Sequence, residues 1–395
     1  MGSPSVALQP GRIRELHPCT WSRLKLTARG DRLANTDLAA ASRSVGAAGQ
    51  AHACFFRTAA VGDGRKALVQ ITERCDLHCA HCFVSATREG ADLSPSVMHD
   101  TVFPRLKRCR VSRLTLTGGE PFLHDGILEI CDMAVEAGFT VGICTNGTSV
   151  RDEHIEHLVR LGNVHVNVSL DGFHPSSHGR FRGDVASFDI TVETIRRLAE
   201  ARLLQGILST PNALTTPQEF KEMARFAASS RADYLLMNPL SAFGRGVMSK
   251  AKLAASEETM RSVEQQAREG AGEDLDVVAI RFPNESAPLT PCIAGDIIYI
   301  FVNGDTAVCP YLVFAARSSR SRYRDSTFLV GNILDGEIAE ALDNYRFHER
   351  FRVGSNATCQ SCQLNQQCGK GCPAAVIAEG GLIGDRDVET CPLPK

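Results

Sequence analysis

The feature that most constrains the fold is a regular alternation of short apolar strands with amphipathic helical segments between residues 67 and 240. Strands that alternate with helices predict a parallel sheet with right-handed crossover connections. We therefore expect an α/β fold, either a barrel or a part-barrel, with its chemistry in the loops after the carboxyl ends of the strands. The six predicted strands are residues 67–72, 114–116, 141–144, 164–170, 207–208 and 234–240.

The rhythm changes at about residue 251, where a polar helix (257–268) and a strand (277–280) follow. Asn303-Gly304 between two β-rich runs is a strong signal for a β-hairpin. The last third of the chain therefore reads as a separate, cysteine-rich module. The predicted division is a weakly ordered extension (1–64), the barrel (65–250), a connecting helix and strand (251–288) and the module (289–395).

Composition excludes several classes of function. The 395 residues are 43% hydrophobic and 22% charged, with a net charge of -2, so no basic field recruits nucleic acid. No apolar run reaches the roughly 18 residues that read as a membrane span or signal core, which predicts a cytoplasmic protein. Fifteen cysteines, an odd number, in a reducing compartment point to metal or redox chemistry and not to disulfides.

Three cysteines, Cys75, Cys79 and Cys82, lie within eight residues directly after the first strand. Three thiolates can wrap one inorganic centre but do not complete the four ligands of a structural zinc or simple iron–sulfur site. One coordination position is then either open or filled by His78 or His81. The second option, a structural zinc site, stays open at this point.

The spacing Cys-x3-Cys-x2-Cys after a first strand resembles the radical S-adenosylmethionine (SAM) superfamily. Gly118-Gly119-Glu120-Pro121, Thr145-Asn146-Gly147 and Ser169-Leu170-Asp171-Gly172 follow the next three strands, where the resemblance expects them. It implies a partial (β/α)6, TIM-like barrel in which the three cysteines hold a 4Fe-4S cluster. SAM would bind the free iron and be cleaved reductively to a 5'-deoxyadenosyl radical, with an electron donor such as flavodoxin or ferredoxin.

The resemblance also implies a set of SAM contacts. Glu120 would accept from the methionyl ammonium, and Arg182 would face the SAM carboxylate; each of these motifs alone also reads as an ordinary turn or loop. His81 stands where relatives often carry an aromatic residue near the adenine, and an imidazole can still stack. The implied SAM-binding residues are Gly118, Gly119, Glu120, Pro121, Asn146, Ser169, Asp171 and Arg182.

A second group of seven cysteines occupies the last third of the chain: Cys292, Cys309, Cys359, Cys362, Cys368, Cys372 and Cys391. Seven thiolates are more than the four ligands that one zinc ribbon needs. A zinc ribbon nevertheless remains the alternative. The order is similar to the SPASM domain, which implies an outer cluster on Cys359, Cys362, Cys368 and Cys391 and an inner cluster on Cys292, Cys309 and Cys372. Relatives supply one more inner ligand before Cys292, but this chain has no cysteine there, which leaves an open iron, another ligand or another cluster type.

The remaining five cysteines are interpreted as small buried side chains or as residues without partners at ligand spacing: Cys19, Cys54, Cys109, Cys131 and Cys144. The pattern singles out no catalytic acid or base.

Auxiliary clusters favour a net oxidation, since they can accept the electron that hydrogen abstraction leaves on a substrate radical. The resemblance is to peptide maturases of the pyrroloquinoline quinone and mycofactocin type. It implies a ribosomal precursor peptide as the substrate and a small separate recognition protein as a partner. Two alternatives stay open. One is oxidation or epimerisation of a small molecule such as an aminosugar or nucleoside, and the other is a non-enzymatic metal-binding scaffold.

Overall fold

The computed structural model describes residues 50–53 and 64–394, and in this part of the chain ten strands form one sheet. The predicted extension, residues 1–64, lies outside the described residues except for residues 50–53 and 64. In chain order the strands are β1 (Arg65–Thr72), β2 (Val111–Gly118), β3 (Thr140–Thr145), β4 (Val164–Ser169), β5 (Leu204–Ser209), β6 (Tyr234–Met237), β7 (Asp276–Ala279), β8 (Ile297–Ile300), β9 (Asp305–Ala307) and β10 (Leu329–Asn332).

The helices connect the strands and cover the sheet. They are α1 (Pro95–Val97), α2 (Phe103–Arg108), α3 (Ile127–Glu136), α4 (Asp152–Leu161), α5 (Arg180–Arg182), α6 (Ser187–Glu200), α7 (Pro217–Ser229), α8 (Gly246–Leu253), α9 (Glu257–Ala271), α10 (Pro310–Ala316), α11 (Ala339–Asp343), α12 (Phe347–Arg350), α13 (Ala357–Ser361) and α14 (Pro373–Ala378). Short 3-10 or π turns occupy Met98–Val102, Pro121–Leu123, Pro175–Gly179 and Asp325–Phe328.

The sheet runs in the order β10-β9-β8-β1-β2-β3-β4-β5-β6-β7, and every pair from β8 to β7 is parallel. The predicted α/β fold with a mostly parallel sheet is therefore confirmed. The structure adds β7 and β8 to the six predicted parallel strands. Strand β6 ends at Met237, earlier than predicted, just before Asn238-Pro239, where proline has no N–H to donate to the ladder.

Strand β1 lies inside the sheet and its two faces differ. Ala67, Val69 and Ile71 are fully buried in the hydrophobic core beneath the helices. Lys66 and Leu68, on the other face, line an interior cavity. The side chains of a strand alternate between its faces, so β1 serves both the core and the cavity.

The predicted hairpin is confirmed, because β8 and β9 pair antiparallel on either side of Asn303-Gly304. Strand β8 also pairs in parallel with β1, matching Lys66 with Ile297 and Val69 with Ile300. The cysteine-rich segment thus contributes a strand to the main sheet, and all four residues of β8 are at most 1% exposed. The division of the chain at residue 289 stays a prediction. Within the described residues, no helix is long and apolar enough to cross a bilayer.

Candidate functional site

A cavity of about 310 Å³ opens at the carboxyl ends of the parallel strands, and we call it the barrel cavity. Its lining includes the three cysteines of the first motif, Cys75, Cys79 and Cys82. Residues from the ends of β2 to β6 complete that side, among them Gly118, Gly119, Asn146, Ser169, Asp171, Ser209 and Asn238. The structure therefore brings the motifs of the first two thirds of the sequence to one place.

The loop after β1 buries its first two thiols. Cys75 and Cys79 are 8% and 7% exposed. Burial raises the pKa of Cys75 to about 12 and that of Cys79 to about 11, although the Arg182 guanidinium opposes the rise at Cys79. Thiols in such an environment become thiolates when a metal takes the place of the proton.

The three thiols of the first motif line the barrel cavity together. Among the residues that the structure describes, no three His, Cys, Asp or Glu side chains are close enough together to hold a single metal ion. A multi-iron cluster spreads its thiolates over separate irons, so its ligands stand further apart than those around one ion. The three cysteines that line the cavity supply three thiolates for such a cluster.

The glycine pair at the end of β2 joins the turn after β2 to the loop after β1, which carries the three cysteines. Gly119 N–H donates to the Thr72 carbonyl (2.9 Å), and Glu120 N–H donates to the Arg74 carbonyl (2.8 Å). A Cβ on Gly118, whose φ is +145°, would lie 2.2 Å from the Thr72 oxygen, and one on Gly119 would lie 2.0 Å from the Arg74 oxygen. Glycine is therefore required by the approach of two backbones as well as by any ligand.

Glu120 lies behind the cavity wall. The residue is fully buried, and burial raises the pKa of its carboxyl group to about 7. Its oxygens accept from Thr145 Oγ1 (2.6 Å), Asn146 N–H (2.7 Å) and Phe122 N–H (3.1 Å). In this structure the Glu120 carboxylate positions the turn after β3. The role predicted for it from the sequence was a different one, that of an acceptor for a ligand's ammonium group. Pro121, which begins the following 3-10 turn, is also buried outside the cavity lining.

Asp76, which sequence reasoning missed, ties the cysteine loop to the turn after β3. Its carboxylate accepts from Asn146 Nδ2 (2.9 Å), Thr148 Oγ1 (2.5 Å) and Ser149 Oγ (3.2 Å). Asn146 Nδ2 also lies 4.0 Å from the Cys75 sulfur. The position of Asp76 beside the first cysteine was the only sequence signal for this role.

A buried ion pair joins two of the predicted SAM contacts. Arg182 Nε donates to Asp171 Oδ2 (2.7 Å), and Arg182 Nη1 lies 4.0 Å from the Cys79 sulfur. Burial alone would raise the pKa of Asp171, but Arg182 and His81 hold it below its usual value. Arg182 is 6% exposed, which excludes the alternative of an exposed loop arginine.

His81 stacks on a ring of the protein itself, and its expected place near the adenine stays a prediction. Its ring lies parallel to that of Phe181, with centroids 4.6 Å apart and planes 5° apart. Burial lowers the pKa of His81 to about 4, so the ring is neutral near pH 7. His81 lines the barrel cavity and has a buried Nδ1 without a hydrogen-bond partner.

Some of the C-terminal thiols are near enough to affect one another, while their assignment to two clusters stays a prediction. Cys292 and Cys372 are near enough to Cys309 to raise the pKa of its thiol further, beyond the effect of burial. In the other group, burial raises the pKa of Cys391, and Cys359 and Cys368 add to the rise. Several N–H groups point at sulfurs of this group: Asn356 Nδ2 at Cys359 (3.3 Å), Leu364 N at Cys362 (3.4 Å), and Lys370 N (3.3 Å) and Leu289 N (3.4 Å) at Cys368.

Helix α10 lies beside the barrel cavity and contributes residues that sequence reasoning missed. Pro310 and Tyr311 line the cavity directly after Cys309. The Tyr311 ring stacks near Phe243 (6.1 Å). Further along the helix, Phe314 packs against Tyr299 of β8, at 5.4 Å between ring centroids. These residues carried no local signal, because their place depends on the pairing of β8 with β1.

Comparison with known proteins agrees with this geometry. Residues 69–227 match the model of the radical SAM superfamily, so this segment is a radical SAM domain, and the chain is an enzyme. A 4Fe-4S cluster and SAM are the cofactors that this superfamily implies.

Relatives and solved structures extend the likeness beyond the domain. The chain is 27% identical to the sporulation killing factor maturation protein SkfB of Bacillus subtilis over 61% of its length and 58% of SkfB. It is also 27% identical to the mycofactocin maturase MftC of Mycolicibacterium smegmatis, over 81% of both chains. The fold resembles that of Streptococcus suis SuiB bound to the precursor peptide SuiA, with a TM-score of 0.64, 16% identity, and 82% of this chain and 75% of SuiB covered.

Proposed function

We propose that this enzyme matures a ribosomally made precursor peptide by radical oxidation. The observation that carries the proposal is the convergence of Cys75, Cys79 and Cys82 with the turns after β2, β3 and β4 on one cavity. The names of SkfB, MftC and SuiB describe maturation proteins or a precursor peptide complex, which supports a peptide as the substrate here.

In this proposal the three cysteines hold the 4Fe-4S cluster, and SAM binds across the cavity beside them. The cluster would supply the electron that cleaves SAM to a 5'-deoxyadenosyl radical. Asn146, Ser169, Asp171 and Arg182 would contact SAM from the cavity wall. Gly118 and Gly119 would approach it with backbone, while Glu120 and Pro121 would position the turns around it.

One or two auxiliary Fe–S clusters would complete the oxidation. The seven C-terminal cysteines would hold them, with Cys359, Cys362, Cys368 and Cys391 on the outer cluster and Cys292, Cys309 and Cys372 on the inner one. N–H donors to the sulfurs of the first group support this assignment, because such bonds help to set the potential of a cluster. Cys309 is followed directly by cavity residues, so an inner cluster would be near a substrate radical.

The partners in this proposal are the precursor peptide, a small separate recognition protein and an electron donor such as flavodoxin or ferredoxin. A cytoplasmic location follows from the same proposal, since free cysteines that hold clusters need a reducing compartment.

The test is anaerobic reconstitution followed by reduction in the presence of SAM. We expect iron and sulfide to bind and 5'-deoxyadenosine to form. The triple variant C75A/C79A/C82A should form none, whereas C131A, in which a buried cysteine outside the motif is changed, should retain it. Addition of a precursor peptide encoded beside the gene should then give a product of lower mass. Zinc without sulfide at the three cysteines would contradict the radical proposal, and turnover of only a small molecule would contradict the peptide.

A further inference from the structure

We propose that Arg245 is a positioning residue for the iron–sulfur cluster of the first motif. Its guanidinium holds the cysteine loop (residues 75–82) in place and sets a positive charge beside Cys79, which raises the potential at which the cluster accepts its electron. The inference rests on the proposed function, because it takes the three cysteines as the ligands of a 4Fe-4S cluster. It assigns a role to a residue that lies outside the three cysteines and the turns after β2, β3 and β4.

Arg245 reaches the cysteine loop from the turn after β6, just before α8. Its Nε donates to the Cys79 carbonyl (2.8 Å), and its Nη1 donates to the Ala86 carbonyl (2.7 Å). Its backbone N–H donates to the Cys82 carbonyl (3.0 Å). One residue thus holds the second cysteine, the third cysteine and the chain just after the loop. The planar guanidinium presents its donors in a rigid fork, so these bonds fix the relative positions of the carbonyls.

Neighbours of Arg245 hold the same loop. A Cβ on Gly244, whose φ is +49°, would lie 2.4 Å from the carbonyl oxygens of both Cys82 and Phe83. The two backbones are therefore too close for a side chain at this position. From α8, Ser249 Oγ donates to the Ala80 carbonyl (2.7 Å). We call residues 244–249 the α8 clamp, in which Arg245 supplies the charge.

The charge of Arg245 differs from that of Arg182, which also lies beside Cys79. Arg182 Nε is paired with Asp171 Oδ2 at 2.7 Å. The side-chain bonds of Arg245 end on neutral carbonyls, and no carboxylate of the described residues lies within ion-pair distance of it. Burial raises the pKa of the Cys79 thiol, and both guanidinium groups oppose that rise. Arg245 therefore places a positive charge near Cys79 that no adjacent carboxylate cancels.

A positive charge beside one ligand bears on the reduction of the cluster. One-electron reduction adds a negative charge to the cluster, and the guanidinium stabilises that charge. Net charge and solvent exposure are among the properties that set cluster potentials. Cys79 is buried, so water and salt screen the attraction less than they would at the surface. We therefore expect Arg245 to make the cluster easier to reduce.

The test is a redox titration of the reconstituted enzyme without SAM, in which EPR spectroscopy follows the reduced cluster. The signal that C75A/C79A/C82A lacks identifies this cluster among any auxiliary clusters. R245Q removes the charge and should shift the potential to a more negative value. R245K keeps the charge and should stay close to the wild type. R196Q, which removes an exposed positive charge on α6, is the control and should not shift the potential.

The rate of iron loss to a chelator measures the holding of the loop separately from the charge. Lysine lacks the fork that bonds the carbonyls of Cys79 and Ala86 together. R245K and R245Q should therefore both release iron at least about 5-fold faster than the wild type. S249A, which removes an uncharged donor of the α8 clamp, should also release iron faster, but without a shift in potential. R196Q should match the wild type.

A potential in R245Q equal to that of the wild type would overturn the inference. If R245Q assembles no cluster, R245K decides, since a potential close to the wild type supports the role of the charge and a marked negative shift contradicts it. Unchanged potential and iron release together with weaker SAM binding would also overturn the inference, because Arg245 would then be a SAM contact.

These measurements need neither SAM nor turnover, so the inference and the proposed function fail in different ways. The expected shifts in an enzyme that does not cleave SAM would count against the proposed function alone. SAM cleavage without the expected shifts would count against this inference alone. A wild-type protein that assembles no iron–sulfur cluster at the three cysteines would overturn both.

Discussion

At the scale of single residues, buried imidazoles set a dependence of stability on pH. His178 is fully buried, its Nδ1 accepts from the Asp171 N–H (3.1 Å), and burial lowers its pKa from 6.5 to about 3. The unfolded chain therefore takes up a proton below pH 6.5 that the folded chain refuses until about pH 3. This residue stabilises the fold above pH 6.5, and that contribution declines as the pH falls.

We predict that H178Q flattens the acid side of the stability profile. Between pH 6.5 and about pH 5.5 the wild-type free energy of unfolding should fall by about 1 kcal/mol more than that of the variant. Urea unfolding at the two pH values, followed by circular dichroism, measures the difference. The other buried histidines are common to both proteins and cancel. Parallel profiles for the two proteins would show that His178 titrates normally in the folded chain.

The buried pair of Asp171 and Arg182 should be costly to break from one side. D171N keeps the acceptor for Thr210 N–H (2.7 Å) but leaves the Arg182 charge without its carboxylate. We expect a loss of about 3–5 kcal/mol in the free energy of unfolding, measured with urea. D132N, which breaks a partly exposed pair with His157, is the control and should cost less than about 1 kcal/mol. Similar losses in both variants would argue that Asp171 contributes nothing beyond a surface charge.

At the scale of elements, α10 ties the C-terminal third to the cavity through Phe314. That ring is 4% exposed and packs between Phe83 (4.9 Å) and Tyr299 (5.4 Å). F314A should lower the free energy of unfolding by about 3–5 kcal/mol, because it leaves a void that these rings cannot fill. F226A, at a half-buried ring, should lower it less. Thermal or urea unfolding compares the two, and an equal loss would mean that α10 is not packed as described.

Local sequence signals predicted most elements well. Thr216 caps α7 and forms a capping box with Glu219, as the Thr-Pro signal indicated, and Asn303-Gly304 forms its hairpin. The pairing of β8 with β1 was not predictable, since the apolar run at 297–302 fits a hairpin inside a separate module as well as a strand of the main sheet. The residues that depend on that pairing, Tyr299 and Tyr311, were missed for the same reason.

The candidate site was predictable to the level of its motifs but not of its contacts. The position of the motifs after successive strands predicted that Cys75, Cys79 and Cys82 share a site with Asp171. The structure places all four residues on one cavity. Spacing could not indicate that Glu120 turns away to hold Asn146, because that depends on the relative placement of two turns.

At the scale of the whole molecule, the continuous sheet predicts a single folding unit over the described residues. Removal of residues 289–395 would remove β8 from its pairing with β1. Strand β1, now inside the sheet, would become an exposed apolar edge strand. We expect the truncated chain to aggregate or to lose its cooperative transition, and the full chain to unfold in one step. Size-exclusion chromatography and thermal unfolding test this. A monomeric, cooperatively folded truncation would show instead that the last third is an independent domain.

The hydrogen bonds from Gly119 and Glu120 to Thr72 and Arg74 join two stretches of chain that lie more than 40 residues apart. A change of conformation in either loop must pass directly to the other, because their backbones are too close for a side chain to intervene. Exchanging the cysteine loop for that of another enzyme would therefore fail unless the glycine turn were transplanted with it. In protein engineering, the cysteine loop after β1 and the glycine turn after β2 would have to be exchanged together.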